Sequence, residues 1–398
     1  MSPGLIVWLL SLLLGLQPLT TDLYLPALPA LTQGFSASMA QAQLTLTALL
    51  LAFGVSQLFW GPLSDRFGRR PILLWGLAAY TLASLASAFS PSMGWLIVWR
   101  AAQGAAMGAA VMCARAIVRD LYAPLEGARV MSKGLTGLGI IACLSAPLGA
   151  ALAQWLDWHA VLLTLGLCAG STLAVIAWRF EETVTHRNPK ALHPGTLART
   201  WWQILRHPGF VAFSVLSTCS YAGLFTFLAS SSFVFIQVLG LSRAQFGLAM
   251  FGSSLSYILG TLLCRRLLLR FGVARTVGLA GVLTLTAGTL MGGLALAGWH
   301  SLWSLLPPFY LFMVGHGVHQ PCGQSGAVGP FPHAAGAASA LNGFLMMLAA
   351  FGVGSWLGLN MDGTVAPLTN GVWFWSVCIA LTAWTLVQRH EHRATGRK

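Results

Sequence analysis

Runs of about twenty apolar residues, separated by short polar or basic breaks, recur along the whole chain, and each is long enough to cross a ~30 Å hydrocarbon core as a helix. The pattern predicts twelve spans: 4–30, 42–63, 72–90, 95–117, 133–155, 159–178, 209–237, 245–264, 275–297, 303–327, 335–358 and 370–388. The longest polar segment halves the chain, so the expected organisation is an N-terminal six-helix bundle over 1–178, a central loop over 179–208, and a C-terminal six-helix bundle with a short tail over 209–398. Within that loop TLARTWWQILRHP interleaves basic residues with Leu197, Trp201, Ile204 and Leu205 at near-helical spacing. This suits a short helix lying at the membrane surface or a plain linker. The first apolar run has no basic segment before it and no small-residue cleavage site after it, so it reads as a retained helix and not a leader.

Composition narrows the class. The chain of 398 residues is 56% hydrophobic and only 8% charged, with mean hydropathy +0.73, against about 25% charged in a soluble domain. The fold class expected is an all-α polytopic membrane protein. Charge then sets the orientation. Arg66, Arg69 and Arg70 share one break, and Arg115, Arg119, Arg129 and Lys133 share another. The central loop holds Arg179, Arg187, Lys190, Arg199 and Arg206; a later break holds Arg265, Arg266, Arg270 and Arg275, and the tail Arg389, Arg393, Arg397 and Lys398. These breaks alternate sides and carry all but Arg100 and Arg243 of the 22 basic residues, which puts both termini in the cytoplasm. The net charge of +13 therefore reflects topology and contact with anionic lipid, not nucleic-acid binding. The seven cysteines fall in or beside spans, which gives no disulfide framework and suits small core residues.

The two halves echo each other. SDRFGRRP (64–71) follows span two and LLRFGVART (268–276) follows span eight, with Arg-Phe-Gly repeated between 66 and 270. Two parallel six-helix units, with substrate held between them, are an architecture of secondary transporters. In GPLSDRFGRRP (61–71), Gly61 and Gly68 permit a tight turn, and Asp65, Arg66, Arg69 and Arg70 offer charges to pair with an acid on a neighbouring helix. Asp120, in ARAIVRDLY at the inner end of span four, is the expected partner of Arg69 or Arg70. Pairs of this kind form in one transporter state and break in another, so these residues are read as a cytoplasmic latch.

GPLSDRFGRRP resembles the cytoplasmic loop signature of the major facilitator superfamily. RAAQGAAMG (100–108) looks like the Arg-x-x-Gln-Gly motif of its drug:proton antiporters, while TTDLYLPALP (20–29), VRDLY and GAASALNGF (336–344) resemble its bicyclomycin/chloramphenicol-resistance (Bcr/CflA) branch. The resemblance implies the major facilitator fold and a rocker-switch exporter of the bacterial inner membrane that exchanges protons for small drugs or metabolites. In span five ACLSAPLGAA (142–151) keeps Pro147 and Gly149 of the antiporter signature but has Ala where several glycines are expected. Small residues still permit close helix packing, so a bend at Pro147 and Gly149 is expected.

Candidate chemistry centres on one acid. Of nine carboxylates only Asp22 falls within a span; the others lie in loops or at span ends. Asp22 and Arg100 sit at similar depths, about 13 and about 8 Å from the outer side at 1.5 Å per residue. A charge held inside a membrane helix costs about 2.5–3.5 kcal/mol and marks a functional site. Burial favours the protonated carboxyl and a nearby cation the ionised one; Asp22 is therefore read as the proton carrier, tuned by Arg100. Pro26 and Pro29 let the outer end bend. Polar positions expected at a substrate cavity are Gln57, Gln103, Tyr221, Gln237, His319, Gln320, Gln324 and Asn342, with Tyr24, Phe53 and Phe225 as apolar walls. Mostly uncharged walls suit moderately apolar compounds.

Span ten carries GHGVHQPCGQSG. His316, His319 and Cys322 are spaced to share a helix face and offer soft-metal ligands, but Pro321 interrupts the face and no fourth ligand is evident, so hydrogen bonding is the favoured role, with protonation of His319 as a second coupling step the alternative, and no metal is expected. Gly323-Gln324-Ser325-Gly326 matches the Gly-x-Ser-Gly of intramembrane serine proteases, which need a histidine base on another helix; His333, His390 and His392 fall in a loop and the tail. No nucleotide-binding loop occurs. A secondary carrier is expected, not an enzyme, acting as a monomer with the proton as coupling ion, no other cofactor, and lipids and a small-molecule substrate as partners. Proton-coupled uptake by the same machinery is the alternative.

Overall fold

The structure, a computed structural model, describes residues 3–122, 124–184, 193–331 and 334–390. The basic residues Arg187, Lys190, Arg393, Arg397 and Lys398 lie outside the described residues, as do Glu391, His333 and His392. Among the described residues the backbone is nearly all helix, without a strand. The first span is not one helix. α1 (Pro3–Asp22) ends at the carboxylate, a tight turn covers Leu25–Ala27, and α2 (Leu28–Gly34) completes the crossing. Pro26 and Pro29 each lack a backbone donor, so the ladder of α1 stops before them.

The remaining elements follow the apolar pattern. They are α3 (Met39–Phe67), α4 (Arg69–Ala88), α5 (Met93–Leu121), α6 (Pro124–Trp155) and α7 (Trp158–Arg179). The expected central loop is partly the short amphipathic α8 (Pro194–Arg206), on which the Arg206 guanidinium covers the Trp202 ring at 4.3 Å. Beyond it lie α9 (Pro208–Ser232), α10 (Arg243–Leu296), α11 (Leu302–Val328), α12 (Ala335–Asn360) and α13 (Ala366–Thr382). Ten segments are long and apolar enough to span a membrane. One of them, α10, runs 54 residues and is two crossings joined at Gly272, where φ 71° and ψ 178° depart from the helix. The 27-residue α11 is less apolar because it carries His316, His319, Gln320, Gln324 and three prolines. With both counted, twelve crossings result.

The chain divides into two compact units, Met1–Arg199 and Thr200–Lys398, with the boundary inside α8. In the first, α1 packs on α6, α3 and α4 on α5, and α4 on α7; in the second, α9 packs on α11, α12 and α13, and α10 on α11 and α13. The outer faces expose Leu82, Leu167 and Leu269, while Trp155, Trp178, Trp299 and Trp303 stand exposed at helix ends. That distribution suits lipid against the sides and headgroups at the ends.

Internal duplication is visible at both ends of one helix. Ser38 and Gln41 form a reciprocal capping box that starts α3, and Ser242 and Gln245 form the same box at the start of α10. Such a box satisfies the orphan amide groups of a helix start from both directions. Thirty residues further on stand Gly68 (φ 105°) and Gly272 (φ 71°), both in the left-handed region that glycine enters without steric cost. The preceding arginines also match, Arg66 lying 5.4 Å from the Phe67 ring and Arg270 5.2 Å from the Phe271 ring. Gly61, by contrast, lies inside α3 and makes no turn; the turn is the work of Gly68 alone.

Candidate functional site

The loop after α3 is the densest charged cluster. Arg69 is 3% exposed, and its Nε donates to Asp120 Oδ2 at 2.9 Å, its Nη1 to Ser64 Oγ at 2.5 Å, while its Nη2 lies 2.6 Å from Asp65 Oδ1. One guanidinium thus ties the end of α3, the start of α4 and the end of α5. Arg119 adds weaker pairs to Asp65 (3.6 Å) and Asp120 (4.0 Å), so two acids and two arginines balance. Charge-assisted bonds from a planar fork are the strong kind, and burial of Arg69 shields them from water.

Arg70 takes a different place. Its Nη2 donates to the Ala177 carbonyl at 2.8 Å, and Asp120 belongs to Arg69. Arg66 is exposed and lies against Phe67, outside the cluster. The residue that sequence reasoning missed is Glu182, just past α7. Its carboxylate accepts from the backbone amides of Arg69 (2.9 Å) and Arg70 (3.2 Å), and also from those of Thr183 and Val184. Thr183 Oγ1 in turn reaches Asp120 Oδ2 at 3.3 Å. The need for an acceptor follows from α4 beginning at a glycine with no side-chain cap, but nothing in the sequence says which residue supplies it. A carboxylate there also complements the helix dipole. A Cβ on Gly68 would lie 2.2 Å from Glu182 Oε2, so the turn glycine also makes room for that carboxylate.

Glu182→Gln should therefore loosen the start of α4 without unfolding the unit. Loss of a cap costs about 1 kcal/mol, which is a roughly five-fold faster amide exchange. Hydrogen-exchange mass spectrometry on the peptide containing residues 69–72 would show it, and unchanged exchange there would count against the capping role.

Among the described residues the second unit has no such cluster. At the repeat positions of Asp65 and Arg69 stand Leu269 and Val273, and a Cβ on Gly272 would meet open space. Uncharged bonds hold α10 instead, from Gln388 Nε2 to the Ala274 carbonyl at 2.7 Å and from Trp384 Nε1 to the Gly278 carbonyl at 3.1 Å.

A fully buried cation lies beside the break in the first span. Arg100 is fully buried on α5; its Nη1 donates to Gln103 Oε1 at 2.6 Å, its Nη2 to the Thr20 carbonyl at 3.2 Å, and its guanidinium lies 4.2 Å from the centre of the Tyr24 ring. Among the described residues no carboxylate pairs with it. The π face and a carbonyl dipole balance the charge, and Nε has no partner among the described residues. Gln103 Nε2 continues to Ser84 Oγ at 2.6 Å, Thr20 Oγ1 meets Tyr80 Oη at 2.5 Å, and Tyr24 Oη donates to Thr45 Oγ1 at 3.0 Å. Gln103 and Tyr24, both expected at a cavity, belong to this network.

Asp22 does not pair with Arg100. It is partly exposed, and its Oδ1 accepts from Thr21 Oγ1 at 2.8 Å. The two groups are nonetheless joined through the main chain, since the segment from Thr20 to Tyr24 supplies both the carbonyl and the ring that hold the guanidinium. Gly149 on α6 closes on the same segment: a Cβ there would lie 2.1 Å from the Leu23 carbonyl oxygen, and Pro147 stands two residues before it. Both partners are backbone and cannot yield. Gly149→Ala should lower the apparent melting temperature of the purified protein, by the 1–3 kcal/mol typical of overpacking. Gly139→Ala on the same helix, with nothing within 4 Å of its Cβ, should leave it unchanged; equal effects would show that Gly149 has no special contact.

The remaining expected positions scatter. Phe53, Gln57 and Phe225 are buried, Tyr221 is partly exposed, and Gln237 is exposed in the last turn beyond α9. Gln320 Nε2 donates to the Ser217 carbonyl (2.9 Å) and its Oε1 accepts from the exposed Gln324; Asn342 Oδ1 accepts from Ser217 Oγ (3.0 Å). Ser217 thus gathers α9, α11 and α12. The histidines and cysteine of span ten diverge: His316 Nδ1 meets Ser220 Oγ at 2.8 Å, His319 is fully buried, and Cys322 faces Cys264 at 3.7 Å. Among the described residues no three His, Cys, Asp or Glu are placed to hold a metal. Ser325 donates to the Pro321 carbonyl at 2.6 Å, as an ordinary helix serine.

Comparison with known proteins places this arrangement. A profile of the Major Facilitator Superfamily matches residues 10–355. The chain is 33% identical over 340 residues to Multidrug resistance protein D of Escherichia coli K12, covering 85% of this chain and 84% of that one. It is 32% identical over 339 residues to the Chloramphenicol resistance protein of Pseudomonas aeruginosa, covering 82% and 77%. A bacterial homolog of the human lysosomal transporter Spinster superposes with a TM-score of 0.74 at 14% identity over 98% of both chains, a likeness of fold.

Proposed function

This chain belongs to the Major Facilitator Superfamily, in its bicyclomycin/chloramphenicol-resistance branch, and is a multi-pass membrane transporter; on that premise we propose that it exports small, moderately apolar compounds across the bacterial inner membrane in exchange for protons. The observation that carries the coupling is the position of Asp22. It lies twelve residues inside the crossing Gly4–Gly34, whereas Asp65 and Asp120 lie within the last turn of their helices. A neutral, protonated Asp22 tolerates a dry site and an ionised one favours water, so the proton biases which conformation is stable. Movement of the Thr20–Tyr24 segment then changes what holds Arg100. The Arg69 cluster is the proposed latch of an alternating-access cycle, with both termini cytoplasmic as the basic residues indicate. No cofactor besides the proton is invoked, and one chain is the proposed transport unit. The resistance functions in the relatives' names support drugs as one substrate class.

The test uses inside-out vesicles holding a pH gradient reported by a fluorescent weak base. Chloramphenicol-like, bicyclomycin-like and lipophilic cationic compounds are added in turn. Collapse of the gradient on adding one class is the expected result. Deepening of the gradient would reverse the coupling and make the protein a symporter, and silence with every class would remove drugs as substrates.

A further inference from the structure

The second unit has no acid in its crossings among the described residues. Its acids are Asp362, in the loop after α12, and Glu391, which lies outside the described residues. It does hold two buried imidazoles at the middle of a crossing. His316 stands fourteen residues into α11, about 21 Å along the helix, and His319 follows less than one turn later. They are 3% and 0% exposed. His316 is held from two sides, by Ser220 Oγ on its Nδ1 and by the Tyr257 ring, centred 5.6 Å away. For His319 the Ala280 backbone is the one polar group within reach, and among the described residues neither ring nitrogen makes a well-formed hydrogen bond. An imidazole has a donor and an acceptor to satisfy, and leaving them unmade costs about 1–3 kcal/mol. Packing alone does not call for that; an apolar side chain of similar volume would fill the same space.

The surroundings sharpen the point. α9 brings Cys219 and Tyr221, and α10 brings Tyr257 and Cys264, with the partly exposed Arg243 at its start and the exposed Arg265, Arg266, Arg270 and Arg275 further on; α12 brings no titratable group. Among the described residues no acid on any element packed against α11 is placed to pair with a charged imidazole in this conformation. A conformation that admits water would let His319 take a proton. We propose that His316 and His319, with Ser220, form a second proton-binding site, set in the C-terminal bundle at mid-membrane depth. This deepens the proton-coupled reading above and rests on it.

The two sites respond to a proton in opposite senses. A proton on Asp22 removes a charge and favours the dry arrangement around it. A proton on His319 creates a charge and favours the wet one. Each bundle thus carries a titratable group in its crossings, and acidification drives one towards closure and the other towards hydration. Such a differential preference is what a proton needs in order to shift a two-state equilibrium.

Hydrogen exchange tests this without a known substrate. The full-length protein in lipid nanodiscs is compared at pH 8 and pH 5.5, after correction for intrinsic exchange, in wild type, His319→Gln, His316→Gln and Asp22→Asn. The expected result is an at least three-fold rise in exchange of α11 residues 312–324 at the lower pH in wild type and Asp22→Asn. The rise should be abolished by His319→Gln, which keeps a donor and an acceptor but does not titrate, and reduced by His316→Gln. A pH-independent α11 in wild type overturns the inference with no appeal to variants, and so does an undiminished rise in His319→Gln. Proton flux in vesicles separates the two readings. Flux retained by wild type with a silent α11 removes only the histidine site, whereas flux absent from wild type removes the proton-coupled reading and with it the coupling role of the histidines.

Discussion

Asp22→Asn should abolish proton-driven transport while leaving the protein folded and able to bind its substrate. Asparagine has nearly the volume of aspartic acid and mimics its neutral form, and the bond from Thr21 Oγ1 to the side-chain oxygen can persist. What disappears is the ability to alternate between neutral and charged. In vesicles the variant should fail to collapse a pH gradient with any compound that wild type exchanges, and its rate should lose its dependence on external pH. Substrate–substrate exchange across the membrane should remain, because it needs the conformational cycle but no net proton. Proton exchange at wild-type rates in the variant would falsify the assignment. Moving a proton inward is favoured by about 2.3 kcal/mol per 100 mV, so loss of coupling removes a driving force of some fifty-fold per proton at that potential.

Arg69→Ala should be the most damaging substitution for stability. It leaves Asp65 and Asp120 only the longer pairs to the exposed Arg119, and Asp120 is only 15% exposed. Removing one partner of a buried ion pair costs about 3–5 kcal/mol, mostly from the charge left behind. Ser64 Oγ also loses its donor. The apparent melting temperature should fall steeply, and transport should be lost even where protein is inserted. Asp120→Asn alone should cost less. The double variant should recover part of the loss, with a coupling of about 1–3 kcal/mol between contacting residues. Additive effects in that cycle would mean that the pair is adjacent but not coupled. Equilibrium binding separates a latch from a binding residue: Arg69→Lys, which keeps the charge but not the planar fork, should retain affinity and lose turnover.

Parts of the site were readable in the sequence to different degrees. Asp65, Arg69 and Asp120 were legible because they sit at helix ends, where a charge near a loop has few alternatives to pairing. Glu182 was not, because it lies more than a hundred residues from the amides it caps, in a segment whose own pattern says only that a span has ended. Arg100 was legible as a buried charge, but the groups that hold it were not. The chain around Asp22 turns the carboxylate towards Thr21 and offers the Thr20 carbonyl and the Tyr24 ring in its place. Gln103 and Asn342 were legible as polar groups inside crossings, but their bonds to Ser84 and Ser217 on neighbouring helices were not.

The sequence alone determined the number of crossings, the division into two related halves, the alternation of basic loops and the single acid inside a crossing. All of these follow from chain-local quantities: the length of an apolar run, the cost of a charge within it, and a motif that recurs at a fixed offset. The tertiary structure alone decided the capping of α4 by Glu182, the groups that hold Arg100 and His316, and the surroundings of His319. The physical reason is helix rotation. These crossings are apolar nearly all round, so they lack the single stripe from which an inward face is read in a water-soluble helix. Each successive residue turns about 100° around the axis, and only packing against neighbouring helices selects which polar side chains meet.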